Sequence, residues 1–314
     1  MIKKRSVLRP PAQHARTAIH LSNRIANFSV SVNYLQSRNL NPPKRSPIRY
    51  FSGASYRRLR NLVLSLDKPP TLFITLTYPS EFPTARASKK HLDNFAKAFM
   101  RRYPYASAIW KQEPQKRGAP HFHLLVTGIH LRSAEEYYDF ANFVSLAWFR
   151  IVGSNDFKHL RAGTQVINLE YKSTKKTIDA LSIYLTKYFS KSFSSLDPSI
   201  WSYPGRFWGV FGRANLSVTT HYFTIDLDSF YKIRRVFRKK LKKYLLSRYG
   251  KLSKPKLLSG NFSLTFSSYA DFYSLLSRLA SLFGADLVYR YSVSTSHSSS
   301  FLFPLFIQYD DIPF

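Results

Sequence analysis

His121, Phe122 and His123 lie in the run APHFHLLVT, where polar and apolar residues alternate. In a strand, successive side chains point to opposite faces, so both imidazoles share one face and Phe122, Leu124 and Val126 share the other. Two imidazoles about 7 Å apart at the Cα level converge on one divalent ion when their rotamers allow it. The plain alternative is two unrelated histidines on a sheet surface. Glu113 bears on that choice. It ends YASAIWKQE, which is joined to APHFHLLVT by PQKRG, and the two runs read as a hairpin. Pairing Glu113 with Ala119 would set Lys111 opposite His121 and keep Glu113 on the histidine face. Glu113 would then complete a two-histidine, one-carboxylate set open to solvent or substrate. A slip of one residue would instead leave it an ordinary hairpin-end charge on the wrong face.

A second constellation lies in the helical pattern from about 174 to 192. Ile178, Leu181, Leu185 and Phe189 form one apolar stripe, and Tyr184, Lys187, Tyr188 and Lys191 form another roughly 110° around the axis. Each tyrosine is followed three residues later by a lysine. A phenol titrates near pH ~10, so it is a poor nucleophile unless a cation favours the phenolate. Taken alone, the stripe reads equally as amphipathic tyrosines at a core margin with solvated lysines. Joined to the histidine strand, it fits phosphodiester transfer. A divalent ion would polarise the scissile phosphate, and tyrosine attack would leave a 5′-phosphotyrosine and a free 3′-hydroxyl. A second tyrosine one turn away would permit another transfer.

These groups need a scaffold, and the periodicities supply one. Leu72, Ile74, Leu76 and Tyr78 alternate with Phe73, Thr75 and Thr77 as a strand closed by Pro79. Ser88 opens a helix carrying Leu92, Phe95, Ala96 and Phe99, which ends before Pro104. The hairpin follows. Ser133 and Glu136 make a capping box for a second helix, which Gly153 terminates. TQVINLEY reads as a fourth strand ahead of the tyrosine helix. The order β-α-β-β-α-β predicts an α+β, ferredoxin-like antiparallel sheet with helices on one face and the other face open. The first and third strands are expected side by side at its centre. The expected division is a basic, flexible arm over 1–65, a catalytic domain over 66–225 and an extension over 226–314. Within that extension, residues 228–250 read as a basic amphipathic helix striped by Phe230, Ile233, Phe237, Leu241 and Leu245. A short helix is expected near 269–283.

Composition narrows the partners. Forty-eight Lys and Arg against 17 Asp and Glu give a formal net charge of +31. Such self-repulsion is relieved by a polyanion, so nucleic acid is the first partner to consider. The absence of cysteine excludes disulfides, thiolate metal sites and cysteine nucleophiles. MIKKRSVLRPPAQ is positively charged without a following apolar run, so no signal peptide is expected. No stretch approaches the roughly 18 to 20 apolar residues of a membrane span, and no membrane partner is expected. No GxxxxGK[ST] loop is present, which argues against a fused helicase.

Three patches in order, FITLTYP, RGAPHFHLLV and YLTKYFSK, resemble the two-tyrosine HUH endonucleases. Among these, the replication initiators of small single-stranded DNA bacteriophages and related plasmids are most similar. PGRFWGVFG resembles a segment that often follows in the phage proteins, and the resemblance spans roughly 70 to 215. It implies a rolling-circle initiator that nicks and rejoins single-stranded DNA at an origin. His121, His123 and Glu113 would hold Mg²⁺ or Mn²⁺. Tyr184 and Tyr188 would be alternating nucleophiles assisted by Lys187 and Lys191. Thr75 and Thr77 would line the site or contact DNA. It further implies work in the bacterial host cytoplasm with a host helicase and polymerase. Arg206, Phe207 and Trp208 are candidates for stacking on bases, with core packing the heavier reading for the aromatics. A non-catalytic nucleic-acid binder would explain the charge but not the lysine-backed tyrosines. A mononuclear iron oxygenase fits neither the element order nor the charge. A relaxase or transposase of the same superfamily would share the chemistry.

Overall fold

A computed structural model describes residues 15–32, 46–170, 197–250, 261–266, 269–283 and 287–294. The chain divides into two units, one within residues 45–219 and the other joining residues before 45 to residues 220–293. In the second unit, β1 (Ala15–Ser22) and β2 (Ile25–Val32) form a hairpin with Ser22 opposite Ile25. Asn23, one of the two turn residues, takes a positive φ of 39°, a conformation asparagine tolerates better than most residues.

The first unit carries the expected fold. Its elements are α1 (Gly53–Ser65), β3 (Leu72–Leu76), α2 (Ser88–Arg102), β4 (Ser107–Pro114), β5 (Pro120–Thr127), α3 (Ala134–Val152), α4 (Phe157–Ala162), β6 (Thr164–Asn168), α5 (Pro198–Trp201) and β7 (Trp208–Phe211). The sheet order is β6-β3-β5-β4-β7, and every described pairing is antiparallel. The first four strands of this unit thus follow the ferredoxin-like arrangement, with β3 and β5 adjacent as expected. The capping box of α3 forms as read: Glu136 N–H donates to Ser133 Oγ, and the Glu136 carboxylate accepts from the Ser133 N–H. Gly153 ends that helix in the left-handed region.

Alternation decides which side chains meet the helices. Leu72, Ile74 and Leu76 join Ala108, Phe122, Leu124 and Val126 under Leu92, Phe95 and Phe99 of α2 and Phe140, Val144 and Trp148 of α3. Trp148 is fully buried, and its indole N–H donates to Thr77 O at 2.6 Å. This core fastens one face of the sheet to the helices.

The opposite face is not open throughout, which corrects the expectation from sequence. Phe73, Ile109 and Leu125 on that face are buried in a second cluster with Phe51, Leu59 and Val63 of the α1 region and with Trp201, Phe207 and Leu216. The physical reason is legible in β3: LFITL is apolar at nearly every position, the mark of a strand covered on both sides. Residues 15–32 and 53–65, assigned to a flexible arm by composition, are likewise strands and a helix. Their basic residues concealed short apolar alternations, and Ser-Asn-Arg-Ile is a weak turn signal compared with Asn-Gly.

The second unit has a sheet of order β10-β8-β1-β2-β9, with β8 (Thr219–Ile225), β9 (Phe262–Thr265) and β10 (Leu287–Ser294). The helices are α6 (Leu227–Tyr249) and α7 (Tyr269–Phe283), close to the ranges read from sequence. Ile19, Leu21, Ala26, Phe28, Phe223, Ile225 and Phe262 pack with Phe230 and Ile233 of α6. Among the described residues no helix is long and apolar enough to cross a membrane.

Candidate metal centre

The β4–β5 hairpin turns through Gln115–Gly118. Gly118 N–H donates to Gln115 O at 2.9 Å, and Gln115 N–H donates to Ala119 O at 2.8 Å. Gly118 sits at φ +83°, a region that L side chains rarely adopt. Two anchors fix the turn. Trp201 donates its indole N–H to Gly118 O at 2.8 Å. Arg117 donates to the carbonyls of Tyr78 and Pro79 at 2.5 and 2.6 Å, tying the turn to the segment that follows β3.

The register pairs Glu113 with His121 and Lys111 with His123. Sequence spacing pairs Glu113 with Ala119, two residues away. A shift of two preserves side-chain parity, so Glu113 still shares the histidine face. Across the sheet, Gln165, Thr75, His123, Lys111 and Trp208 form one row of that face. The neighbouring row is Ile167, Phe73, Leu125, Ile109 and Val210. The site therefore borders the covered, apolar part of the face.

Glu113 Oε1 lies 2.7 Å from His123 Nε2 and 3.9 Å from His121 Nε2, and the two Nε2 atoms are 2.9 Å apart. Among the described residues these three form the group of His, Asp or Glu side chains able to hold a metal ion. The donor set fits one. Three electron-pair donors aimed at one another repel unless a proton or cation lies among them. An ion with bonds of about 2.1 Å keeps neighbouring ligands roughly 3 Å apart, close to two of the three separations. Thr75 Oγ1 is 3.2 Å from His123 Nδ1. A proton on Nδ1, donated to Thr75, leaves the Nε2 lone pair facing Glu113, the tautomer a metal requires. His123 also stacks on Phe73, with ring centroids 5.1 Å apart. The Glu113 side chain is 5% exposed, whereas those of His121 and His123 are 13% and 12% exposed, so the histidine side admits a further ligand.

Lys111 entered the sequence analysis only as a marker of register. Its side chain is fully buried, with Nζ 3.4 Å from Glu113 Oε2 and 5.2 Å from the Phe51 ring centroid. Burial pushes the Glu113 carboxyl upward. The His123 hydrogen bond and the positive charges of Lys111, His123 and His121 outweigh it and hold the group below its ordinary value. Parity along β4 could have flagged Lys111, since positions 111 and 113 share a face. Gln165 is an exposed member of the same row, and only the β3–β6 pairing brings it there.

The remaining predicted residues fall in different places. Thr77 lies just beyond β3, and its hydroxyl donates to Gly163 O at 2.8 Å. Trp208 is half-buried, with its indole N–H donated to Ser55 Oγ at 2.9 Å. Phe207 is buried, whereas the Arg206 carbonyl accepts from Lys89. Lys89 also donates to Pro204 O at 3.0 Å, and burial pushes its ammonium down to about 8. Tyr184, Lys187, Tyr188 and Lys191 lie outside the described residues.

Fold and site together define an α+β protein of ferredoxin-like topology with a two-histidine, one-carboxylate candidate metal site on its sheet. Residues 71–193 match the family model for the replication-associated protein ORF2 family. The matched stretch contains β3, the hairpin and all three candidate ligands, and it supports a replication initiator family. No curated protein and no solved structure matches the chain.

Proposed function

We propose that this chain is a metal-dependent HUH endonuclease that starts rolling-circle replication by nicking single-stranded DNA at an origin. The observation that carries the reading is the convergence of Glu113, His121 and His123 within the stretch matched by the replication-associated family model. Those three residues would hold Mg²⁺ or Mn²⁺, which when bound supplies Lewis-acid polarisation of a phosphate oxygen. Lys111 keeps the Glu113 carboxylate ionised and aimed, and Thr75 sets the His123 tautomer. Tyr184 or Tyr188 attacks phosphorus through its phenolic oxygen. The phosphorus–3′-oxygen bond breaks, and the 3′-oxygen takes a proton to become the hydroxyl that primes synthesis. Lys187 and Lys191 favour the phenolate, and the second tyrosine reverses the chemistry to rejoin strands. Gln165, Arg206 and Trp208 are contacts for the strand, with host helicase and polymerase acting after the nick in a bacterial cytoplasm.

A covalent-adduct assay tests this. Full-length protein is mixed with labelled single-stranded circles and Mn²⁺, with and without EDTA, and run on a denaturing gel. A metal-dependent adduct is expected, lost in His121→Ala and in the double Tyr184→Phe, Tyr188→Phe variant. Tight binding with no adduct across several origins and metals would replace the nicking enzyme with a passive binder.

A further inference from the structure

The second unit contains a strongly charged surface that the nicking chemistry does not use. Helix α6 holds nine lysines and arginines, and Asp228 is its one acidic residue. Lys232 pairs with Asp228 at 2.7 Å, leaving no other carboxylate within the helix. At about 100° per residue, Arg235, Arg238, Lys239 and Lys242 fall within an arc of roughly 100°. All four are exposed. Phe230 and Ile233, both fully buried, and Phe237, packed against the same core, point roughly the opposite way.

We propose that this outward face of α6 docks the phosphates of duplex nucleic acid, giving the chain a second binding surface besides the metal-bearing sheet. Charge complementarity selects a polyanion, because like charges three and four residues apart repel one another unless counter-charge arrives from outside. The apolar face of the helix is already buried in its own unit's core, so it has nothing to insert into a lipid surface. The four cations are not interleaved with aromatic platforms of the kind on which unstacked bases are held: positions 236, 237, 240 and 241 between them are Val, Phe, Lys and Leu, and Phe237 faces the core. A row of cations on a rigid helix, without stacking groups, suits phosphates on a duplex backbone.

Binding of full-length protein to a fluorescent duplex and to a single strand of equal length, across a salt series, decides the matter. Replacing Arg235, Arg238, Lys239 and Lys242 by Gln should flatten the duplex log–log salt slope by roughly 2 to 4, at about 0.9 for each phosphate no longer neutralised. Duplex affinity at low salt should fall roughly ten-fold or more, with the single-strand isotherm and Mn²⁺ titration unchanged. The pair Arg238→Gln with Lys242→Gln should take about half of that slope change, and the charge-keeping pair Lys239→Arg with Lys242→Arg none. These pairs serve if the quadruple variant fails to fold. An unchanged duplex slope overturns the proposal. So does an equal loss on the single strand, or a loss confined to phosphatidylserine vesicles.

Discussion

At the scale of single residues, the site depends on an ion pair that is expensive to break from one side. Lys111 is buried and faces Glu113, so Glu113→Gln leaves an ammonium in the interior without that carboxylate. Such a loss costs about 3–5 kcal/mol. Adding Lys111→Met should restore much of the stability, as read by urea unfolding; a double variant no more stable than Glu113→Gln would show the pair to be uncoupled. Alone, Lys111→Met should weaken Mn²⁺ binding by about 10- to 100-fold through loss of support for the ligand carboxylate, measured by calorimetry. The depressed Glu113 carboxyl sets a sign for pH. Its stabilisation is complete above the ordinary value of 4.5 and is lost as pH falls below it through the folded value. The native urea midpoint should therefore drop more steeply on acidification below pH 4.5 than that of Glu113→Gln.

At the scale of elements, the hairpin and its flanking strand matter most. Parity along β4 and β5 fixed the face of each ligand, whereas the pairing itself was set by the Gln115–Gly118 turn and its anchors, Trp201 and Arg117. A glycine in the segment after β7 has a structural role as well. Gly212 lies at φ +64°, and a Cβ there would stand 2.4 Å from Ala106 O. Backbone cannot retreat as a flexible side chain can. Gly212→Ala should destabilise by at least about 1–2 kcal/mol from the left-handed conformation alone. A thermal midpoint within a degree of native would refute this account of the β7 edge.

For the whole molecule, the second unit is assembled from opposite ends of the chain. β1 and β2 supply Ile19, Leu21, Ala26 and Phe28 to a core completed by residues beyond 219. Removing residues 1–32 deletes two adjacent interior strands of a five-stranded sheet. The truncated chain should lose protease resistance over 220–293 while keeping the Mn²⁺ isotherm of the sheet carrying Glu113, His121 and His123. Retained resistance across 220–293 would show that this unit stands without its N-terminal hairpin.

Period-two and 3.6-residue patterns alone determined the β-α-β-β-α-β order, the α3 caps, the basic helix and the shared face of Glu113, His121 and His123. They could do so because strand parity and helix periodicity are local properties. The tertiary structure alone decided what covers each face. Whether Phe73, Ile109 and Leu125 meet solvent or α1 depends on contacts between segments far apart in sequence. The burial of Lys111 beside Glu113 and the pairing of residues 15–32 with a strand some 200 positions later have the same origin. Such contacts arise from the closing of long loops and the packing of whole faces, for which a single segment carries no local signal.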